Sequence, residues 1–527
     1  MKNILRTTMV AAAMTLAVAG CTDPTVAPKS SVSSANIFND PGSYRAYVAK
    51  IYAGLVTSGI QGPSGNPDIA GIDEGFGQYF RMLWELNELP TDEAVLGWGD
   101  LGVADLNTQQ WSSNNPFTSA MYGRIYYQVM LANDFLRQTT DAQLAARNTP
   151  PALAAQIKQY RAEARFLRAF SYWHGIDFYG DIPLVTENDV LGATPPAQSS
   201  RATVYNYIVS ELNAIRGDLP AVGAAQYGRV DQGAVAMLLA KLYLNAAVYT
   251  GTANAAGALT EIQKVIAGPY QLDNNYRRMF SADNNTSPEL IWAIPEDGQN
   301  IQTWGGMTFL VHAAVGGSMD PSKYGINGGW WGLRLKPEAV ALFADGGGPN
   351  GADKRASFFW YPGQNVQMNS IGDFSQGIGA PKFTNMTSTG TPGSDPNFPD
   401  TDYPMFRLGD AYLIYAEAVL RGGGGSAAQA LGYVNALRDR AYGNASGEIN
   451  ASQLTLDFIL AERGRELLWE GQRRMDLIRF GKFSAAGVWA WKGNVQAGKT
   501  TGAYHDLYPL PASELLANPK LKQNTGY

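Results

Sequence analysis

The sequence predicts a mainly α-helical chain in which stacked helix pairs are interrupted by one loop-rich insertion. Three observations predict this. Apolar residues recur at three- and four-residue spacing through the first half and the C-terminal third. Several of these stretches come in twos, joined by short links. From about 281 to 404 the periodicity gives way to glycine-rich runs such as Gly305-Gly306, Gly316-Gly317, Gly328-Gly329 and Gly346–Gly348.

In chain order, residues 42–58 carry Tyr44, Val48, Ile51, Tyr52 and Leu55 on one helical face, and residues 117–138 carry Phe117, Met121, Ile125, Val129 and Leu136. Pro150-Pro151 opens a long helix to about Tyr179, because the first turn has no N–H to lose, and Gly180-Asp181-Ile182-Pro183 stops it. Helices follow at 202–217, at 231–250 with Asp231 as N-cap, and at 256–267. The insertion is expected to hold a short helix at 335–344 and short strands at Leu290–Ile294 and Met307–Val311. Helices resume at 408–421, 426–441 and 453–473. The pairs 231–250 with 256–267 and 408–421 with 426–441 resemble tetratricopeptide stacking. No strict 34-residue period is present, so periodicity alone is equally compatible with a general α-bundle. The expected layout is a helical scaffold over 39–280 and 405–482, a ligand-facing insertion over 281–404 and a tail over 483–527.

Composition narrows the function. Of 527 residues, 45% are hydrophobic and only 16% charged, with a net charge of -6. Disorder is excluded by the hydrophobicity, and a nucleic-acid surface by the acidic balance. One cysteine excludes a disulfide scaffold and a cysteine zinc site. Three scattered histidines, His174, His312 and His505, give no metal-ligand spacing.

The cysteine sits at an informative place. Lys2 and Arg6 precede an apolar run, Met9–Gly20, of signal-peptide length, too short to span a bilayer. Val18-Ala19-Gly20-Cys21 resembles a bacterial lipobox. Residues 1–20 are therefore read as a lipoprotein signal, Cys21 as the lipidated N-terminus, and 21–38 as a Pro-, Ser- and Thr-rich tether. Acyl chains anchor such a protein to a membrane without threading it through.

Two segments carry a family resemblance. Arg161–Phe170 (RAEARFLRAF) with its continuation to Thr186, and Glu462–Gly481 (ERGRELLWEGQRRMDLIRFG), look like signature segments of the SusD/RagB family of outer-membrane nutrient-binding lipoproteins. Arg407–Ala418, Tyr508–Tyr527 and the lipobox agree, in family order. The resemblance implies a fold of four tetratricopeptide-like helix pairs with an irregular ligand-bearing part. It implies an outer-membrane location facing the cell exterior and a SusC-like TonB-dependent transporter as partner. It also implies capture of a glycan or other oligomeric nutrient, without catalysis. Calcium occurs in the family; no EF-hand-like loop is present here, and no cofactor is predicted.

The charged signatures read as structure. The 462–481 segment holds Glu462, Glu466, Glu470 and Asp476 with Arg463, Arg465, Arg473, Arg474 and Arg479. The three glutamates, four residues apart, share one helix face and are expected to pair with arginines between packed helices. A glycosidase pair sits across a cleft instead. Glu163 with Arg161, Arg165 and Arg168 is read the same way.

Ligand residues are sought where aromatics lie in loops beside Asn, Asp and Gly, because sugars offer apolar C–H faces ringed by hydroxyls. Trp98, with Asp92 and Asp100, lies in such a stretch. Trp304, Tyr324, Asn327, Trp330 and Trp331 lie in the insertion, where neighbouring Trp330 and Trp331 cannot both face inward on an extended strand. Trp489-Ala-Trp491 is a weaker candidate, and Phe358–Tyr361 is read as core or an inter-domain seal. Two other functions stay open: a secreted glycan-active enzyme, for which no catalytic triad or metal spacing is visible, and a structural lid of the transporter that binds no ligand.

Overall fold

The computed structural model describes residues 37–59, 62–63, 67–190, 192 and 194–527. Cys21, the signal and all but the last two residues of the tether lie outside the described residues. The chain divides into two units, one ending at Tyr44 and the other covering Arg45–Tyr527. The described part of the first is a 3-10 turn at Ile37–Asn39, the packed rings of Phe38 and Tyr44 and the start of the helix Gly42–Ala53.

The second unit is mainly α; of the described residues, 47% are helical, 3-10 turns included, and 6% are strand. Pro116–Gln138 packs on Pro151–Tyr179, and Pro151–Tyr179 on Arg201–Ile215. Gln232–Leu244 packs on Ala255–Ile266, Ala255–Ile266 on Leu408–Leu420, and Leu408–Leu420 on Ala427–Tyr442. Gln232–Leu244 has neighbours on more than one side, and its small and aliphatic residues from Gly233 to Leu242 are buried. Asp231 caps it, accepting from the N–H groups of Gly233 and Ala234. Four expected helices are shorter than the periodicity suggests: 42–58 ends at Ala53, 335–344 is confined to Pro337–Ala341, and two longer ones are interrupted. The 231–250 stretch breaks at Asn245 into Gln232–Leu244 and Ala246–Thr250. The 453–473 stretch ends at Glu466, because Trp469 (φ 60) and Gly471 (φ 66) turn the backbone left-handed before Arg473–Arg479 begins.

Buried ion pairs lock these elements. Glu466 accepts from Arg355, Arg407 and Arg440, and Glu462 from Arg355, Arg438 and Arg465. Glu470, beyond the end of the helix, still joins the cluster through Arg407 and Lys382. Burial would raise the Glu462 carboxyl, but the guanidiniums of Arg355, Arg465 and Arg438 outweigh it and hold the pKa at about 2. Gly409 lets the backbone reach this network; a Cβ there would lie 2.4 Å from Arg407 Nη1. Glu163 is bound by Arg229 and Tyr52, and Arg168 by Glu187 and Glu211.

The insertion leaves and returns at one place. Leu290–Ile294 pairs antiparallel with Tyr403–Arg407, placing Leu290 opposite Arg407. A second sheet runs Ala94–Leu96, Leu333–Leu335, Ile378–Gly379, all antiparallel, and so ties the insertion to the N-terminal half. Met307–Val311 is not a strand but the core of the buried helix Gly306–Ala313. A five-residue run with four apolar side chains fits either element, and complete burial erases the amphipathic signal that separates them.

Candidate functional site

The second sheet builds the site. Leu96 faces Leu333, and Gly97 N–H donates to Gly332 O (3.0 Å), so Trp98 and Trp331 emerge together where the ladder ends. Trp98 Nε1 donates to Trp331 O (2.7 Å). Gly332 has φ 103, and a Cβ there would lie 2.4 Å from Trp98 Nε1, so glycine is required for this approach.

The helix Gly306–Ala313 supplies the other wall. Phe309 meets Trp98 edge to face at 5.6 Å, and His312 stacks on Trp330 at 4.8 Å with 24° between the rings. Trp330 N–H donates to His312 O (2.8 Å) and Trp331 N–H to Val315 O (3.0 Å), hanging the pair from the end of this helix. His312 Nδ1 lies 2.6 Å from Gly328 O and Nε2 2.9 Å from Asn397 O. Trp304, just before the helix, packs on Phe398 at 4.8 Å.

Three predicted tryptophans thus form a row. Trp330 is central, with ring centroids 6.2 Å from Trp98 on one side and 6.2 Å from Trp304 on the other. All three are half-buried, so each keeps part of its surface in solvent. Arg81, from the wholly buried helix Tyr79–Glu88, lies behind them, 4.2 Å over Phe309 and 5.7 Å over Trp98, held by Glu85 at 3.0 Å.

The remaining candidates are placed differently. Trp331 has φ 55, not the extended backbone expected for Trp330–Trp331. Its ring lies beside Gly316, Gly317 and Gly379, while its carbonyl serves Trp98. Asp92 is committed to Arg473 through both oxygens (2.8 and 2.7 Å); burial opposes its ionisation, but Arg473 outweighs this and lowers its pKa. Asp92 is thus part of the scaffold. Asp100 is exposed two residues beyond Trp98. Asn327 is exposed and donates to Asn397 Oδ1 (2.5 Å), the residue whose carbonyl faces His312, so it stands at the rim. Tyr324 is half-buried in another turn, its carbonyl taken by Asn385 N–H and Thr384 Oγ1. Trp489 is buried beneath Lys492, and Trp491 donates to Met368 O. Within Phe358–Tyr361, Phe359 is core, while Trp360 is half-buried and donates to Ser318 Oγ.

Arg81, Phe309, His312 and Phe398 complete the site and are not among the sequence candidates. Phe309 and His312 are three apart, a helical spacing hidden by reading 307–311 as a strand.

The profile of the SusD family matches residues 357–527, and that described as "Starch-binding associating with outer membrane" matches residues 78–244. The starch-binding protein SusD of Bacteroides thetaiotaomicron is 34% identical, with 91% of each chain covered. The fold is shared with surface glycan-binding protein A of Bacteroides thetaiotaomicron, solved in complex with laminarihexaose (TM-score 0.70, 20% identity, 92% of this chain and 99% of that one). It is shared too with a laminarin-binding SusD-like protein (TM-score 0.69, 21% identity, 92% and 99% covered). With 34% identity to SusD over 91% of its length, the chain belongs to the SusD family.

Proposed function

We propose that this chain is a cell-surface glycan-binding lipoprotein that captures oligosaccharide for a SusC-like TonB-dependent transporter of the outer membrane. The observation that carries the reading is the half-exposed row Trp98–Trp330–Trp304. Such a row offers successive apolar faces to sugar rings, and the exposed Asp100 and Asn327 beside it are suited to meet hydroxyls at the rim. Arg81, Phe309 and His312 fix the rings beforehand, so little order is lost on binding.

The relatives, a starch-binding protein, a laminarin-binding protein and a glycan-binding protein in complex with laminarihexaose, favour starch-like or laminarin-like glucans and a binding role. The scaffold favours binding over catalysis as well: Glu462, Glu466 and Glu470 are neutralised by guanidiniums between helices instead of facing each other across a cleft. Cys21 is the proposed acylation site, and the tether would let the folded part stand off the membrane. We test the reading by incubating the protein with starch, laminarin and their oligosaccharides. Retarded migration in glycan-containing native gels without release of shorter products supports it. Product release, or no retardation by any of them, contradicts it. Co-purification of a barrel transporter with the wild-type lipoprotein tests the partner.

A further inference from the structure

We infer that the glycan track does not end at Trp304 but continues into a second cleft whose platform is Tyr227. The inference rests on the glycan-binding reading of the tryptophan row and extends it. This open cleft, of about 630 Å³, is walled by Tyr227, Asn285, Asp297, Asn300, Ile301 and Asp400 among others.

Tyr227 is one of the few large apolar side chains in the open, with 45% exposure. It is not a loose surface ring. Its hydroxyl donates to Asp402 Oδ2 at 2.5 Å, and the other oxygen of Asp402 accepts from Glu296 N–H at 2.7 Å. The ring is held in place with a face available, the condition under which an aromatic binds a sugar at low entropic cost. The opposite wall is polar and equally set. Asp400 accepts from Gly298 N–H (2.8 Å), Ser394 N–H (2.6 Å) and Ser394 Oγ (2.7 Å), and Asn300 donates to Asp297 Oδ2 (2.8 Å). These carboxylates are occupied by donors, so the cleft is a surface of fixed amides and carboxylates around an aromatic face, the make-up of a saccharide subsite.

Two segments join this cleft to the row. Ile301 lines the cleft and Trp304 ends the row three residues later, within about 10 Å of chain. Phe398 packs on Trp304 at 4.8 Å, and Asp400, two residues on, lines the cleft. A saccharide leaving the row at Trp304 therefore runs onto the wall of the cleft. A short oligosaccharide occupies the row alone, and a longer one gains the second contact within the same molecule.

The test measures chain-length dependence. Maltotriose and maltoheptaose, and laminaritriose and laminarihexaose, are titrated calorimetrically into the wild type, Tyr227→Ala, Asn285→Arg and Trp330→Ala, with thermal melts as a check on folding. Asn285→Arg is at an exposed position and obstructs the cleft while leaving the Tyr227–Asp402 bond in place. We expect wild type to bind the longer member of its preferred series more tightly. Tyr227→Ala and Asn285→Arg should remove that advantage, weakening the long chain by about fivefold or more and the trisaccharide by less than about twofold. The inference is overturned if the long-chain affinity of folded Asn285→Arg stays within twofold of wild type, or if both lengths weaken equally. Trp330→Ala separates the two readings. Weakened trisaccharide binding there supports the row, whereas unchanged trisaccharide binding, or no wild-type binding to either series, defeats the row and this extension with it.

Discussion

Glu466→Gln removes one negative charge from the centre of the buried network and changes little else in the shape of the side chain. Glu466 is fully buried, and its oxygens accept from Arg407 (2.7 Å), Arg440 (2.5 Å) and Arg355 (3.0 Å). Burial disfavours its charge, yet Arg440, Arg407 and Arg355 together hold its pKa far below the usual carboxylate range. Glutamine keeps one acceptor oxygen and substitutes an NH₂ for the other, so at least one guanidinium would face a donor and lose its counter-charge. Breaking one partner of a buried pair costs about 3–5 kcal/mol. Unfolding entropy of about 2.1 cal/mol/K per residue gives a unit of this length, 45–527, roughly 1 kcal/mol per kelvin. The expected loss is thus about 3–5 °C in Tm by calorimetry, provided the unit melts as one. Glu448→Gln, on an exposed 3-10 cap, is the control and should shift Tm by less than about 1 °C. A Glu466→Gln protein that melts with the control would refute the view that this network locks the insertion to the helical scaffold.

Asp92→Asn should lower Tm, because it weakens a bidentate contact to Arg473, and leave oligosaccharide affinity within about twofold; a selective loss of affinity would return Asp92 to the site. His312→Ala removes the ring stacked under Trp330 and should weaken binding by about 1–2 kcal/mol, although the buried imidazole does not itself reach a sugar. Unchanged affinity in titration calorimetry would show that Trp330 needs no such support. Acid unfolding in urea should report two groups. Burial depresses the His174 pKa from 6.5 to about 3, so the stability present above pH 6.5 is lost as pH falls toward 3. Glu462, held at about 2 against an ordinary 4.5, contributes about 3 kcal/mol that is present above pH 4.5 and lost as pH falls through 2. His174→Gln should flatten the upper part of that profile, and an unchanged slope between pH 6.5 and 4.5 would contradict the assignment.

The scaffold was legible where a helix is long and its ends are marked. Pro151–Tyr179 starts at a proline and stops at a glycine with φ 71, and both ends are visible in the sequence. Boundaries slipped where a single residue reverses the backbone against the period, as at Trp469 after Glu466. The candidate site was legible as composition and hidden as assembly. Trp98, Trp304 and Trp330 stand out as loop aromatics, but their meeting depends on Leu96 pairing with Leu333, a register set across more than two hundred residues that local spacing does not encode. Asp92 lies near Trp98 in sequence, and only the fold shows its pairing with Arg473. His312 carries no signal as a lone histidine in an apolar run until that run is known to be a helix whose face lies under Trp330.

The central claim is that the Trp98–Trp330–Trp304 row is where glycan binds. Calorimetric titration of maltoheptaose and laminarihexaose into the wild type and into Trp330→Ala tests it most directly, because Trp330 touches both other members of the row. Stacking on this row predicts saturable binding by wild type to at least one of the two sugars and a loss of about 1–3 kcal/mol, five- to 150-fold in Kd, in a variant with an unchanged melt. Wild-type affinity retained in a folded Trp330→Ala protein would contradict it.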